Sequence, residues 1–249
     1  MSRRAFFGLW GLVIIAMVAI ELGLVWAHFH GEPHPQLEAA STAARYGRTA
    51  VCAGLTFVWC ARAGRKEAGV LGAAALVCVI ADYFLVLQGK LLIGLVFFAI
   101  AQVLWWVRGT VGLRLAWRAS TALARHSAIR GVIIAVGVAA LILAGLAPAL
   151  LAKGLLLPVV VYACLLVGAT ATAFIGRACA RIPEPYASRF AWGMLLFLIG
   201  DITVAIGAVG SESTLAGVVR AFTGVFYTPA LLMLGSSGVP VSKAVDHSE

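Results

Sequence analysis

Acidic side chains are scarce in this sequence. Ten Asp and Glu stand against nineteen Lys and Arg in 249 residues, and charged residues of both signs make up only 12%, about half of what a soluble domain carries. The apolar share is 62% and the mean hydropathy is +1.01. No segment is left that is polar enough and long enough to form a water-soluble domain. The five cysteines, Cys52, Cys60, Cys78, Cys164 and Cys179, fall in or beside apolar runs without metal-ligand spacing. They are read as packing residues, not as a disulfide framework. No G-x-S-x-G, H-E-x-x-H or Walker A sequence occurs, and no lysine lies deep inside an apolar run, which excludes a retinal Schiff base. In a soluble protein the net charge of +9 would suggest nucleic acid. Here the basic residues sit beside apolar runs, so they are read as setting membrane orientation.

What the sequence does have is long apolar runs, a few of which hold one polar residue each. Residues 70–107 comprise two such runs joined at Gln88-Gly89-Lys90, with Asp82 inside the first and Gln102 inside the second. A charge at membrane depth costs at least about 2.5 kcal/mol, so it marks a functional site by default. The device returns at residues 190–209, which hold Asp201, followed by a further apolar run over 215–234. Val79-Ile80-Ala81-Asp82 lines up with Leu198-Ile199-Gly200-Asp201: an aliphatic pair, a small residue, an aspartate.

The apolar runs predict an all-α polytopic membrane protein with eight spans, roughly 5–27, 48–63, 69–88, 91–107, 130–151, 154–176, 189–209 and 215–235. Residues 1–236 form a single transmembrane domain in this reading, and 237–249 a short disordered tail. The first run is too long for a signal peptide and is kept as a span. With the N-terminus inside, fourteen Lys and Arg fall on inner segments and five on outer ones. That asymmetry predicts that both termini are cytoplasmic, and in a bacterial cell it would place the protein in the inner membrane. His28, His30 and His34 stand two and four residues apart beside Pro33 and Pro35. They fit no ligand pattern on one helix face, so they are read as a solvated loop, not a metal site. The inner segment 108–130, with Arg114, Arg118 and Arg125 among leucines and Trp117, reads either as a basic interfacial helix or as a topology-setting loop. Gly168, Thr172 and Gly176, four apart, favour close helix packing.

Three acids lie within spans, Glu21, Asp82 and Asp201, each about six to eight residues, roughly 10 Å, below the outer boundary. If their helices are neighbours they share one pocket. Two carboxylates in a low-dielectric site repel and ionise one at a time, leaving one acid and one base. Arg45 and Arg48 stand at a similar level and can balance charge or hold a phosphate.

At these residues the sequence resembles the YhhN-like membrane proteins, the lysoplasmalogenase family. Gly94-Leu95-Val96-Phe97-Phe98-Ala99-Ile100-Ala101-Gln102, after the Asp82 helix, is similar to the family hairpin in which an Asp in one helix precedes a Gly-Leu and a Phe leading to a His. Leu196-Phe197-Leu198-Ile199-Gly200-Asp201 resembles its second aspartate helix, and Leu157-Pro158-Val159-Val160-Val161-Tyr162 its Pro-Val…Tyr segment. Arg48 stands near a position where the family often has Lys. Two departures stand out. The family's His is Gln102 here, and the last helix keeps Tyr227 but lacks the Gln that usually accompanies it.

The resemblance implies eight helices and hydrolysis of the vinyl ether bond of a lysoplasmalogen to a fatty aldehyde and a glycerophospho-alcohol. It makes Asp82 and Asp201 the acid–base pair. Gln102, Tyr162, Arg48, Glu21 and Tyr227 are the residues expected to bind or orient substrate or water. No cofactor or metal is implied; the expected partners are a lysophospholipid substrate and membrane lipids, not nucleic acid. The rival reading of the same residues is a proton-coupled transporter or a non-catalytic lipid-binding membrane protein, since hairpin repeats and buried carboxylates also serve transport.

Overall fold

Most of the helices begin earlier than hydropathy alone places them. A computed structural model of the chain describes residues 35–61, 65–209 and 214–238, together with a few helical positions between 12 and 27. Among the described residues all regular structure is helical. The helices are α1 (Pro35–Cys60), α2 (Arg65–Asp82, continued by a π turn at Tyr83–Leu87), α3 (Leu91–Thr110), α4 (Leu113–Ala119), α5 (Ala122–Ala152), α6 (Leu156–Ala178), α7 (Tyr186–Val209) and α8 (Thr214–Gly235). Five stretches are long and apolar enough to cross a bilayer: Glu67–Leu87, Leu91–Thr110, Ala122–Ala152, Leu156–Ala178 and Tyr186–Val209. The expected first span, 5–27, and His28, His30 and His34 lie outside the described residues apart from those few positions.

One expectation is corrected. Residues 35–45 belong to the first turns of α1, not to a loop. Pro35 opens this helix, a position where its missing N–H costs nothing, and the polar residues that lower hydropathy there are compatible with a helix. Of the two readings of 108–130, a helix or a loop, the structure has the helix: the segment is a helical elbow. α4 covers its middle, and α5 starts at Ala122, where the Thr121 side chain accepts a hydrogen bond from the Ala124 N–H at 3.2 Å.

The chain order and the packing order differ in one informative way. α1 packs on α2, α2 on α3, α3 on α6, α6 on α7, α7 on α8, and α8 returns to α1. Six helices thus close a ring. α5 lies outside it, against α6 and part of α7. Only Ala128 and Leu150 of its 31 residues are buried, while Ile133, Ile134 and Leu141 are openly exposed, as suits a helix surrounded by lipid.

The ring interior is filled by aromatic and small side chains. Phe197 sits at its centre, with ring centroids 5.1 Å from Trp105, 4.9 Å from Tyr227 and 6.0 Å from Phe98. Small residues set the closest approaches. The Gly168 backbone lies under the Trp106 ring and Gly109 faces Thr172, so the first two residues of the small-residue stripe read in the sixth span form the α3–α6 contact, while Gly176 faces Arg181. At one end Arg108 crosses the bundle. It bonds Glu67 Oε1 through Nε at 3.0 Å, donates to Ser237 Oγ at 3.0 Å and to the Ser237 carbonyl at 2.8 Å, and lies 4.4 Å above the Phe190 ring. Arg189 donates to the Ser236 carbonyl at 3.1 Å. The end of α8 is therefore tied to α2, α3 and α7.

Candidate active site

The polar residues of the apolar runs meet at the other end of the ring. Asp82 is the last α-helical residue of α2, immediately before the π turn, and is buried. π turns widen a helix by one residue and occur often at functional sites. Here Gln88 N–H reaches back to the Tyr83 carbonyl at 3.1 Å. The turn ends at Gly89, whose φ of 62° is open to glycine without strain. Gly94 then lets α3 lie directly against the turn: a Cβ there would stand 2.9 Å from Leu85 Cβ and 3.1 Å from the Ala81 carbonyl. The hairpin geometry that positions Asp82 rests on these two glycines.

The Thr49 hydroxyl of α1 donates to Asp82 Oδ2. Arg48, the preceding residue, is buried within electrostatic reach of the same carboxylate, and its guanidinium lies 5.3 Å over the Tyr227 ring. A buried carboxylate stays ionised only with such support. Asp201, half-buried on α7, accepts a hydrogen bond from the Tyr162 hydroxyl of α6. Tyr162 in turn accepts from Gln102 Nε2 of α3 at 3.4 Å. Asp82 and Asp201 lie within electrostatic reach of each other, and Tyr227 of α8 is within reach of both. Every helix of the ring contributes to this cluster.

Two buried polar atoms, Gln102 Oε1 and Tyr227 Oη, have no hydrogen-bonding partner among the described residues. Buried polar groups are nearly always satisfied, so both atoms are places where a polar atom of solvent or ligand can bind. A crevice that runs from Thr49 and Cys78 past Trp105 to Thr56, Leu234 and Gly235 has a volume of about 10 Å³, room for about one water molecule.

The structure thus brings together six of the seven residues expected from sequence: Asp82, Asp201, Gln102, Tyr162, Arg48 and Tyr227. The seventh, Glu21, lies outside the described residues. Sequence reasoning missed two. Thr49 is the direct partner of Asp82, and its only sequence signal is adjacency to Arg48. Cys78, one turn before Asp82 on the same helix face, is fully buried within electrostatic reach of both aspartates.

A family model, the YhhN family, matches residues 45–236. The chain belongs to the YhhN family. The matched region of this YhhN chain runs from just before Arg48 to just past α8. It takes in all six residues of the assembled cluster and leaves out Glu21. No curated protein and no solved structure matches the chain. Gln102 holds the position to which the resemblance noted above gives a His. An amide at that place gives a fixed donor and acceptor and no exchangeable proton near neutral pH.

Proposed function

We propose that this chain is an eight-span membrane hydrolase with both termini cytoplasmic, which cleaves the vinyl ether bond of a lysoplasmalogen or a related lysophospholipid. The observation that carries this reading is the convergence of Asp82 and Asp201. They come from two separate hairpins, each with a hydroxyl donor on its carboxylate, Thr49 for one and Tyr162 for the other. One carboxyl group, protonated, delivers its proton to the vinyl carbon distal to the ether oxygen, leaving an oxocarbenium-like cation. The other, ionised, stabilises that cation and takes a proton from the attacking water, as in glycoside hydrolysis. The hemiacetal formed breaks down to the fatty aldehyde and the freed glycerol hydroxyl. Water supplies the oxygen, and no nucleophilic Ser or Cys is needed. Tyr162 and Gln102 orient the Asp201 side, Thr49 and Arg48 the Asp82 side, and the Tyr227 hydroxyl is a donor to substrate or water. The packing of Phe98, Trp105, Phe197 and Tyr227 between this cluster and Arg108 supports a hydrolase over a proton-coupled transporter, which needs a path to both faces.

The test is lysolipid turnover by purified protein on vinyl-ether and ester-linked panels, read by mass spectrometry. Asp82→Asn and Asp201→Asn are each expected to lower vinyl-ether hydrolysis by about a hundredfold or more. The double variant should be no slower than either single one, since residues acting as a unit are non-additive. The activity–pH profile of the parent should be bell-shaped. Near-normal turnover in both monodisperse single variants would make the aspartates structural and end the hydrolase reading.

A further inference from the structure

The acid-poor composition is concentrated in one place. Residues 83–183 contain no Asp or Glu. Within that stretch the α4–α5 elbow carries Arg114, Arg118, Arg125 and Arg130, with Arg114, Arg118 and Arg130 exposed. Large apolar side chains stand among them: Leu115 is 73% exposed and Leu123 81%. Half-buried Trp117 lies between them in the chain. The elbow is held in shape rather than loose. Arg125 Nη2 donates to the Ser120 carbonyl at 2.9 Å, and Arg181 Nη1 reaches across from beyond α6 to the Val111 carbonyl at 2.7 Å.

Among the described residues no acid at this end is left over to neutralise the exposed arginines. The helices packed against α4, namely α3 and α6, contain no acidic residue. The described acids at this end are already engaged. Glu67 is bonded by Arg108, and Glu184 is paired with Arg177 at 3.3 Å and bonded by Ser188 Oγ at 2.9 Å. Hydrogen bonding from Ser188, with Arg177 beside it, holds the Glu184 carboxyl below the usual carboxylate range, so it stays charged and occupied. Asp246 and Glu249 lie outside the described residues.

The length of α5 gives the position. A bilayer takes about 20 helical residues and α5 has 31, so roughly ten, those carrying Arg125, His126 and Arg130, extend past the hydrocarbon into the headgroup layer. Alternating arginine and leucine with a Trp at that level is the composition that binds a charged lipid surface.

We propose that the α4–α5 elbow is a docking surface for anionic phospholipid headgroups. The arginines hold phosphates, while Leu115 and Leu123 insert among the acyl chains. The occupant follows from charge complementarity: a surface of unopposed arginines interleaved with exposed leucines fits a phosphate layer over hydrocarbon better than it fits a soluble polyanion, which offers nothing for the leucines.

The full-length protein in detergent, mixed with equal amounts of phosphatidylglycerol and phosphatidylcholine of matched chains, tests this by native mass spectrometry. The expected result is roughly tenfold preferential retention of phosphatidylglycerol, weakening as salt rises. Arg114→Gln, Arg118→Gln and Arg130→Gln combined should abolish the preference. Arg125 is left in place because it holds the elbow. Lys90→Gln with Lys153→Gln, at the opposite end, should leave the preference unchanged. Equal retention of the two lipids by the parent protein, or an undiminished preference in the triple variant, overturns the proposal. Binding of heparin by the arginines without any lipid preference would assign the surface to a soluble polyanion and overturn it equally.

Discussion

At the residue scale, the cluster is an arrangement in which each charge has a named support. Asp82 has Thr49 and Arg48; Asp201 has Tyr162, itself held by Gln102. Most of these residues were legible because a polar side chain in an apolar run is costly and therefore conspicuous. Thr49 and Cys78 were not, because Thr and Cys are ordinary in membrane helices and cost little there. Thr56, Thr170 and Thr172 look the same in sequence and only bond their own helix carbonyls. Gln102 yields the sharpest prediction. Its Nε2 holds Tyr162 and its Oε1 has no partner among the described residues. Imidazole at this place can also donate to Tyr162 and adds a group that exchanges protons near neutral pH. Gln102→His is therefore expected to keep or raise vinyl-ether turnover. Collapse of turnover in a well-folded variant would mean that the site has been rebuilt around the amide.

At the element scale, hydropathy found where helices are buried in lipid, not where helices are. The first half of α1 holds Glu38, Ser41, Thr42 and Arg45 and reads as a loop, yet its helix is continuous to Cys60. The π turn after Asp82 had no readable signal, since Tyr83-Phe84-Leu85-Val86-Leu87 is a composition that ordinary helices share. What fixes it is tertiary: α3 lies against it, with the Phe84 and Phe97 rings stacked at 5.5 Å. Gly94 permits that contact. Gly94→Ala puts a methyl group 2.9 Å from Leu85 Cβ and 3.1 Å from the Ala81 carbonyl, one residue from Asp82. Overpacking of this kind costs about 1–3 kcal/mol. The variant should unfold at lower temperature in detergent and lose turnover together with stability. An unchanged midpoint with full turnover would refute the tight α2–α3 junction.

At the scale of the whole molecule, the all-helical membrane architecture was legible from composition, and pairing within each hairpin followed from short connections. The exclusion of α5 from the ring was not legible, because its apolar run has the same composition as those that line the core; what separates them is which helix has partners on all sides. The basic asymmetry predicts orientation. A cysteine introduced after Ser242 in a cysteine-free background should label only from the cytoplasmic side, and labelling from outside would remove the eight-span arrangement.

The contact of α8 with α1 joins the last helix described to the first one in the ring. A ribosome makes α1 first and α8 last, so during synthesis the growing chain is an open arc. Both aspartates are in place once α7 is complete, yet the Tyr227 ring beneath Arg48 arrives only with α8. On the hydrolase reading proposed above, activity is expected to come late in biogenesis, and the arc is a stage at which buried charge lies open to lipid and to quality-control proteases. A chain stopped after Val209 should still insert, carry both aspartates, show no turnover and be degraded faster than the full chain in pulse-chase labelling. Co-expression of a separate segment beginning at Ser211 should restore turnover by closing the arc in trans.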